Sequence, residues 1–161
     1  MTLFRRPYRS AHSRKGVAAV EFAVVLPIMA LLIVGLWEVG RMVEVQQYLA
    51  NACREGARQA STGVKTTAQV QQVVVDYLQQ KGLTNVKTAN VTVTSVSNTS
   101  ITDPSQATQL DQFRVSVSVP FTDVRWVALN QITGLRNLTA SADWYSMRDI
   151  PITVSATIPL K

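Results

Sequence analysis

The feature that most constrains this chain is an apolar run over residues 17–37 that contains a single charged side chain, Glu21. A helix of that length rises about 30 Å, which matches the hydrocarbon core of a bilayer. The preceding segment has no acid and five basic residues, namely Arg5, Arg6, Arg9, Arg14 and Lys15. Because basic flanks stay in the cytoplasm, the sequence predicts a transmembrane helix over 17–37, with residues 38–161 outside the cytoplasm.

The formal net charge of +6 is concentrated in that N-terminal segment. Beyond residue 16, eleven basic residues face ten acidic ones, so the rest of the chain is close to neutral. A near-neutral surface offers no basic stripe that could follow a phosphate backbone. The sequence therefore predicts no nucleic-acid partner.

Residues capable of catalysis or metal binding are scarce. The chain has one histidine, His12, and one cysteine, Cys53. This pair cannot supply a zinc site, and a single cysteine forms no internal disulfide. No phosphate-binding, dinucleotide-binding or zinc-protease motif occurs. We therefore expect no enzyme activity, no catalytic residue, no metal and no cofactor, and we expect Cys53 to be a small core residue.

The N-terminal segment is open to more than one interpretation. An ordinary secretory signal would need small residues in an A-x-A-like pattern after the apolar run, but Trp37 and Val39 stand there. An uncleaved single-pass anchor explains the length and the basic flank but leaves Glu21 unexplained. A carboxylate at the middle of a membrane costs about 3 kcal/mol and therefore usually has a partner.

Cleavage between Gly16 and Val17 would supply that partner. Val17 would then carry a new α-ammonium group, and Glu21 would become the fifth residue of the mature chain. Both an ammonium group and a helix N-terminus favour a nearby carboxylate. In a stack of such helices, Glu21 of one chain can therefore face the free amine of its neighbour.

The segment from Gly16 to Pro27, Gly-Val-Ala-Ala-Val-Glu-Phe-Ala-Val-Val-Leu-Pro, followed by Gly-Leu-Trp-Glu-Val-Gly-Arg at 35–41, resembles the TadE-like family of pseudopilins in tight-adherence (Tad, or Flp) pilus systems. The resemblance covers about the first quarter of the chain, residues 14–56. The long leader and the Ala-Val-Glu-Phe core differ from ordinary type IVa pilins, which have short leaders and a Phe-Thr-Leu-Ile-Glu start.

This resemblance implies a basic leader, residues 1–16, that a prepilin peptidase removes after Gly16. Lys15, Glu21 and Phe22 would belong to the processing and assembly signal. The implied location is the bacterial inner membrane, with residues 38–161 in the periplasm or outside the cell. The implied partners are sister pseudopilins, the major Flp pilin and the Tad inner-membrane assembly machinery.

The apolar helix is expected to bend at Pro27 and to continue beyond the membrane to about Ala60. A narrow stripe at three- and four-residue steps supports the extension: Val39, Met42, Val45, Leu49, Cys53, Gly56 and Ala60. Polar residues are expected on the opposite side, at Arg41, Glu44, Gln47, Arg54 and Arg58. The small residues Ala52, Gly56 and Ala60 would admit another backbone, either within the domain or from another subunit.

The remaining chain predicts an α+β fold of the pilin-like kind. A second amphipathic helix should start at Thr66 or Thr67 and end at Gly82, and residues 97–110 should form an exposed loop. Apolar and polar residues alternate in three or four stretches that predict antiparallel strands: 90–96, 113–119, 138–144 and 152–158. A short helix is expected over 126–132.

These features together predict a structural assembly protein, a minor pilin or pseudopilin that is inserted in the membrane, processed and used to build or initiate a Tad-type pilus for adherence and biofilm formation. An alternative from another class is a permanently anchored extracytoplasmic binding or adhesion module. That alternative requires an intact leader and a pocket of converging polar groups.

Overall fold

The structure is a computed structural model that describes residues 12–98, 100–125 and 136–148, with side chains from Gly16 onward. The chain divides between Gly40 and Arg41 into two compact units. The predicted helix over 126–132 and the predicted strand over 152–158 lie outside the described residues.

The described elements follow the predicted order. Helix α1 spans His12–Ser61 and helix α2 spans Thr67–Gln80. Three strands follow, β1 (Val91–Ser95), β2 (Gln112–Pro120) and β3 (Asn137–Tyr145), which pair antiparallel in the order β1-β2-β3. Three single-turn 3₁₀ helices precede the three strands in turn, at Thr88–Asn90 before β1, Pro104–Gln106 before β2 and Phe121–Asp123 before β3. The predicted α+β class is confirmed.

Strand β2 is the centre of the sheet, and its alternating sequence explains why. Phe113, Val115, Val117 and Val119 are all buried, while the residues between them are exposed or half-buried. This is the two-residue period of a strand that packs one face against a core. The strand registers place Val117 opposite both Val91 of β1 and Ala140 of β3, so one apolar row crosses all three strands.

Both ends of α2 have the residues that a short helix needs. The Thr66 hydroxyl accepts a hydrogen bond from the Gln69 N–H, and the Gln69 side chain accepts one from the Thr66 N–H, which makes a capping box. After the helix, Gly82 has a φ of +86°, a conformation that glycine adopts without strain. Gly63, after the end of α1, likewise has a φ of +66°. The predicted cap at the start of α2 and the predicted glycine at its end are confirmed.

The core of the second unit lies between the sheet and the last part of α1. Val45, Leu49 and Cys53 are fully buried and belong to one apolar cluster with residues of α2 and the sheet. Cys53 Sγ donates to the Ala140 carbonyl oxygen at 3.3 Å, and burial raises the pKa of this thiol to about 11. The interpretation of Cys53 as a core residue is confirmed.

Three details of the predicted pattern are wrong. Val39, assigned to the buried stripe, is 47% exposed. Arg41, assigned to the solvent side, is buried, and its Nε donates to the Val124 carbonyl oxygen at 3.2 Å. The predicted exposed loop contains two buried residues, Pro104 and Ala107, at a 3₁₀ turn whose Asp103 side chain accepts from the Ser105 N–H. The burial of Arg41 involves a contact 83 residues away in sequence, which a local periodicity does not contain.

Candidate membrane and assembly segment

The first unit contains the apolar part of α1. Every side chain from Gly16 to Ile33 is exposed, including large ones such as Val20 at 66% and Leu32 at 64%. A soluble domain does not leave so many apolar side chains in contact with water, because roughly 25 cal/mol is lost for each square ångström of apolar surface left uncovered. This part of α1 is long and apolar enough to span a membrane.

Glu21 lies on this exposed apolar surface. Residues three and four positions away on a helix are its surface neighbours. At those positions stand Val17, Ala18, Val24 and Val25, none of which can pair with a carboxylate. Within the part of the chain that the structure describes, no ion pair or hydrogen bond of the Glu21 side chain is found. A partner for this carboxylate therefore has to be sought elsewhere.

The other residues of the predicted signal lie near Glu21 on the same helix. Gly16 and Val17 are helical and exposed, and no atom lies within 4 Å of the place where a Cβ on Gly16 would stand. Phe22 is 61% exposed. Lys15 is helical, and its side chain lies outside the described set. In this uncleaved chain α1 begins at His12, so the helix runs through the predicted cleavage site.

Helix α1 also runs through Pro27, which lies inside it. Proline lacks the N–H that would otherwise bond to the carbonyl four residues earlier, at Ala23. Neighbouring helices or side chains can cover such a carbonyl in a membrane. The predicted bend at Pro27 stays a prediction.

The small residues of α1 pack within their own domain. Ala52, Gly56 and Ala60 are all buried in the second unit. A Cβ on Gly56 would lie 2.5 Å from Val74 Cγ2 and 3.6 Å from Val115 Cγ1, so glycine lets α1 approach both α2 and β2. These three residues thus pack against other parts of their own domain. A contact with another subunit at these positions stays a prediction.

A hydrogen-bonded network of polar side chains lies on α1 at the start of the second unit. Arg41 Nη1 donates to Glu44 Oε2 at 2.7 Å, and the Tyr48 hydroxyl donates to Glu44 Oε1 at 2.8 Å. The hydrogen bond from Arg41 lowers the pKa of Glu44 most, and the bond from Tyr48 lowers it further. The bond between Tyr48 and Glu44 also raises the pKa of Tyr48. With the Arg41 bond to Val124, the group ties α1 to the chain after β2.

One surface feature was not found from the sequence. An apolar groove of about 410 Å³ lies between α1 and the start of β3, and its lining residues are Met42, Val43, Gln46, Gln47, Ala50 and Leu138. Beside it, Gln46 Nε2 donates to the Thr139 carbonyl oxygen at 2.7 Å. Leu138 is 88 residues or more from every α1 residue of the groove, so no local pattern could have indicated that they meet.

The described residues contain no group of three or more His, Cys, Asp or Glu side chains placed to hold a metal ion. What they do contain is one helix with an exposed, membrane-compatible apolar surface, together with a small α+β domain. Over the described residues, these features define the class as a protein with an N-terminal apolar helix that could span a membrane, followed by a small α+β domain.

Comparison with protein families makes this class more specific. The family model described as TadE-like protein matches residues 16–58, a little over a quarter of the chain. The resemblance predicted from the sequence is thereby confirmed over these residues, and it associates the chain with Tad pilus systems. The comparison with curated proteins finds no match. No solved structure matches the chain either.

Proposed function

We propose that this protein is a minor pilin, or pseudopilin, of a Tad-type pilus. It is inserted in the bacterial inner membrane with its N-terminus in the cytoplasm, cleaved after Gly16 by a prepilin peptidase, and used in assembling or initiating the pilus. The observation that supports this proposal most directly is the family match over 16–58, which begins at the proposed cleavage residue.

The exposed apolar helix supports the first step of the proposal. An apolar surface that surrounds the helix over residues 16–33 needs lipid or other apolar helices as its environment. Both are present on the proposed route, first the bilayer and then the packed helices of a fibre. No catalytic step is assigned to the chain, and the role is structural.

The isolation of Glu21 supports the assembly step. After cleavage, the α-ammonium of Val17 on a neighbouring subunit gives this carboxylate an oppositely charged partner in an apolar environment, where attraction is strongest. Such a pair fixes the axial register between helices whose apolar surfaces alone would slide past one another. The pair can form only once the leader is removed, so assembly is coupled to processing.

Three variants of the full chain test this role of Glu21: Glu21→Ala, Glu21→Asp, and Val24→Ala as a matched control one turn away. They are expressed in a strain that makes the Tad system, and membrane insertion and co-purification with pilin subunits are measured. We expect all three variants to insert in the membrane. The amount of pilin that co-purifies with Glu21→Ala should fall at least about tenfold, whereas Val24→Ala should behave as wild type. Co-purification of Glu21→Ala at the wild-type level would refute the assembly role.

A further inference from the structure

The bond between Gly16 and Val17, where the proposed cleavage falls, lies inside a helix. Helix α1 includes both residues and is helical on either side of them, from His12 before the bond and from Ala18 after it. In an α-helix each backbone N–H donates to the carbonyl four residues earlier, so the backbone groups around this bond are hydrogen-bonded within the helix. A protease cuts a folded segment in its transiently opened form. Cleavage after Gly16 therefore requires that this part of α1 open first.

The glycine at position 16 makes this opening easier. A Cβ at this position would meet no atom within 4 Å, so the packing of the described chain does not require a glycine here. In this respect Gly16 differs from Gly56, whose Cβ would stand 2.5 Å from Val74 Cγ2, and from Gly63 and Gly82, which have a positive φ. Within a helix, glycine in place of alanine favours the unwound state by about fivefold. The glycine thus weakens α1 at the bond that is to be cut.

The position of the bond limits how far the opening has to extend. The four residues before Gly16 are His-Ser-Arg-Lys, whereas the residues after it are apolar up to Glu21. In a membrane, water can bond to backbone groups that are freed on the polar side, but groups freed within the hydrocarbon have no such partner. Opening is therefore easiest from the polar side, and the bond lies at the edge of the apolar run. Gly35 and Gly40 also have free space for a Cβ, but they lie more than five turns further along α1.

We infer that a prepilin peptidase acts on a locally unwound state of α1 around Gly16 and Val17, and that the helix stability of this segment sets the rate of processing. This inference rests on the proposed function, since it concerns the conformation in which the proposed bond is cut. It gives the glycine an effect on the substrate that is separate from its fit to the peptidase. Changes in helix stability at neighbouring residues should therefore change the rate of cleavage while Gly16 itself is kept.

The test varies helix stability at residues outside the proposed processing signal. Ala18→Gly and Ala19→Gly weaken the helix just after the bond. Ala30→Gly is the matched control, because the same substitution then lies about four turns from the bond. The full-length chains, purified in detergent micelles, are treated with a limiting amount of prepilin peptidase. The rate at which the mass of residues 1–16 is lost is measured for each chain.

Hydrogen exchange of the same chains without peptidase measures the opening itself. The protection of the backbone N–H groups at residues 17–20 reports how often this part of α1 unwinds. We expect Ala18→Gly and Ala19→Gly each to lower this protection and to raise the cleavage rate, both by about fivefold. Ala30→Gly should leave both quantities at the wild-type value.

The outcomes separate this inference from the proposed function. If the peptidase does not cut the wild-type chain, the proposed function is wrong and the inference is wrong with it. If the wild-type chain is cut after Gly16 but Ala18→Gly and Ala19→Gly are cut no faster, the inference alone is overturned. Faster cleavage without lower protection would also overturn it, because the effect would then lie in contacts with the peptidase. An equal increase for Ala30→Gly would show that the effect is not local and would overturn it as well.

Discussion

Gly56 and Val74 lie so close together that a Cβ on Gly56 would stand 2.5 Å from Val74 Cγ2. Val74 is fully buried in α2, and Val70 and Val115 lie within 4 Å of the same point. The absence of a side chain at position 56 therefore sets the distance between α1, α2 and the sheet, and it allows one α1 face to contact both elements.

Replacement of Gly56 by alanine should destabilise the outer domain. The added methyl group forces Val74 or α2 to move, and overpacking of this kind typically costs about 1–3 kcal/mol, more than the helix propensity gained. We expect the melting temperature of the full-length chain in micelles to fall by several degrees, measured by circular dichroism.

Two further variants make this test specific. Gly40→Ala is the control, because a Cβ there meets no atom within 4 Å, and its melting temperature should be unchanged or slightly higher. Val74→Ala, which removes the clashing methyl group, should make Gly56→Ala much less harmful in the double variant. If Gly56→Ala is as stable as wild type, the close approach is not a structural requirement.

Cys53 should be chemically silent in the folded protein. Burial raises the pKa of its thiol to about 11, so very little of it is the reactive thiolate at pH 8, and the side chain is shielded from solvent. A thiol reagent such as DTNB should react with the native chain at least about a hundredfold more slowly than with the chain in denaturant. Equal rates in the two states would show that this helix face is open.

Glu55 should make stability depend on pH at the acid end. Its carboxylate accepts two hydrogen bonds from Arg58, at 2.7 and 2.9 Å, and one from Gln59 at 2.9 Å. These bonds lower the pKa of Glu55 from 4.5 to about 2, and the bonds from Arg58 have the largest effect. Because the folded-state pKa lies below the unfolded one, the contribution is complete above about pH 4.5 and disappears as the pH falls towards 2.

The size of this contribution is limited, because the Arg58 side chain is 69% exposed. We expect Glu55→Gln to be less stable than wild type by no more than about 1 kcal/mol at pH 7. The difference between the two proteins, measured by urea unfolding at several pH values, should shrink between pH 4.5 and 2. A difference that stays constant over this range would show that the carboxylate charge has no part in it.

Most of the fold was predictable, because local patterns determine it. Strict alternation predicted a strand over 113–119, and β2 spans Gln112–Pro120. A threonine cap and a closing glycine predicted α2, and both have the expected geometry. Such signals act over a few residues, so the sequence alone contains them.

Two features that the sequence did not indicate depend on contacts between distant parts of the chain. Arg41 is buried because its guanidinium reaches Val124, which is 83 residues away. The groove at Leu138 likewise needs α1 and β3 to meet. The candidate signal at Gly16 and Glu21 needs no such distant contact. It could be found from the sequence because the order of residues along a single helix defines it.

The most direct test of the account is the N-terminus of the protein after co-expression with a prepilin peptidase. Intact-mass and N-terminal measurements should show a chain that starts at Val17. Gly16→Ala should stay at full length, and Gly35→Ala, at another glycine of α1 with free space for a Cβ, should be processed normally. A wild-type chain that keeps residues 1–16, or that is cut at any other bond, would contradict the proposed processing and assembly role.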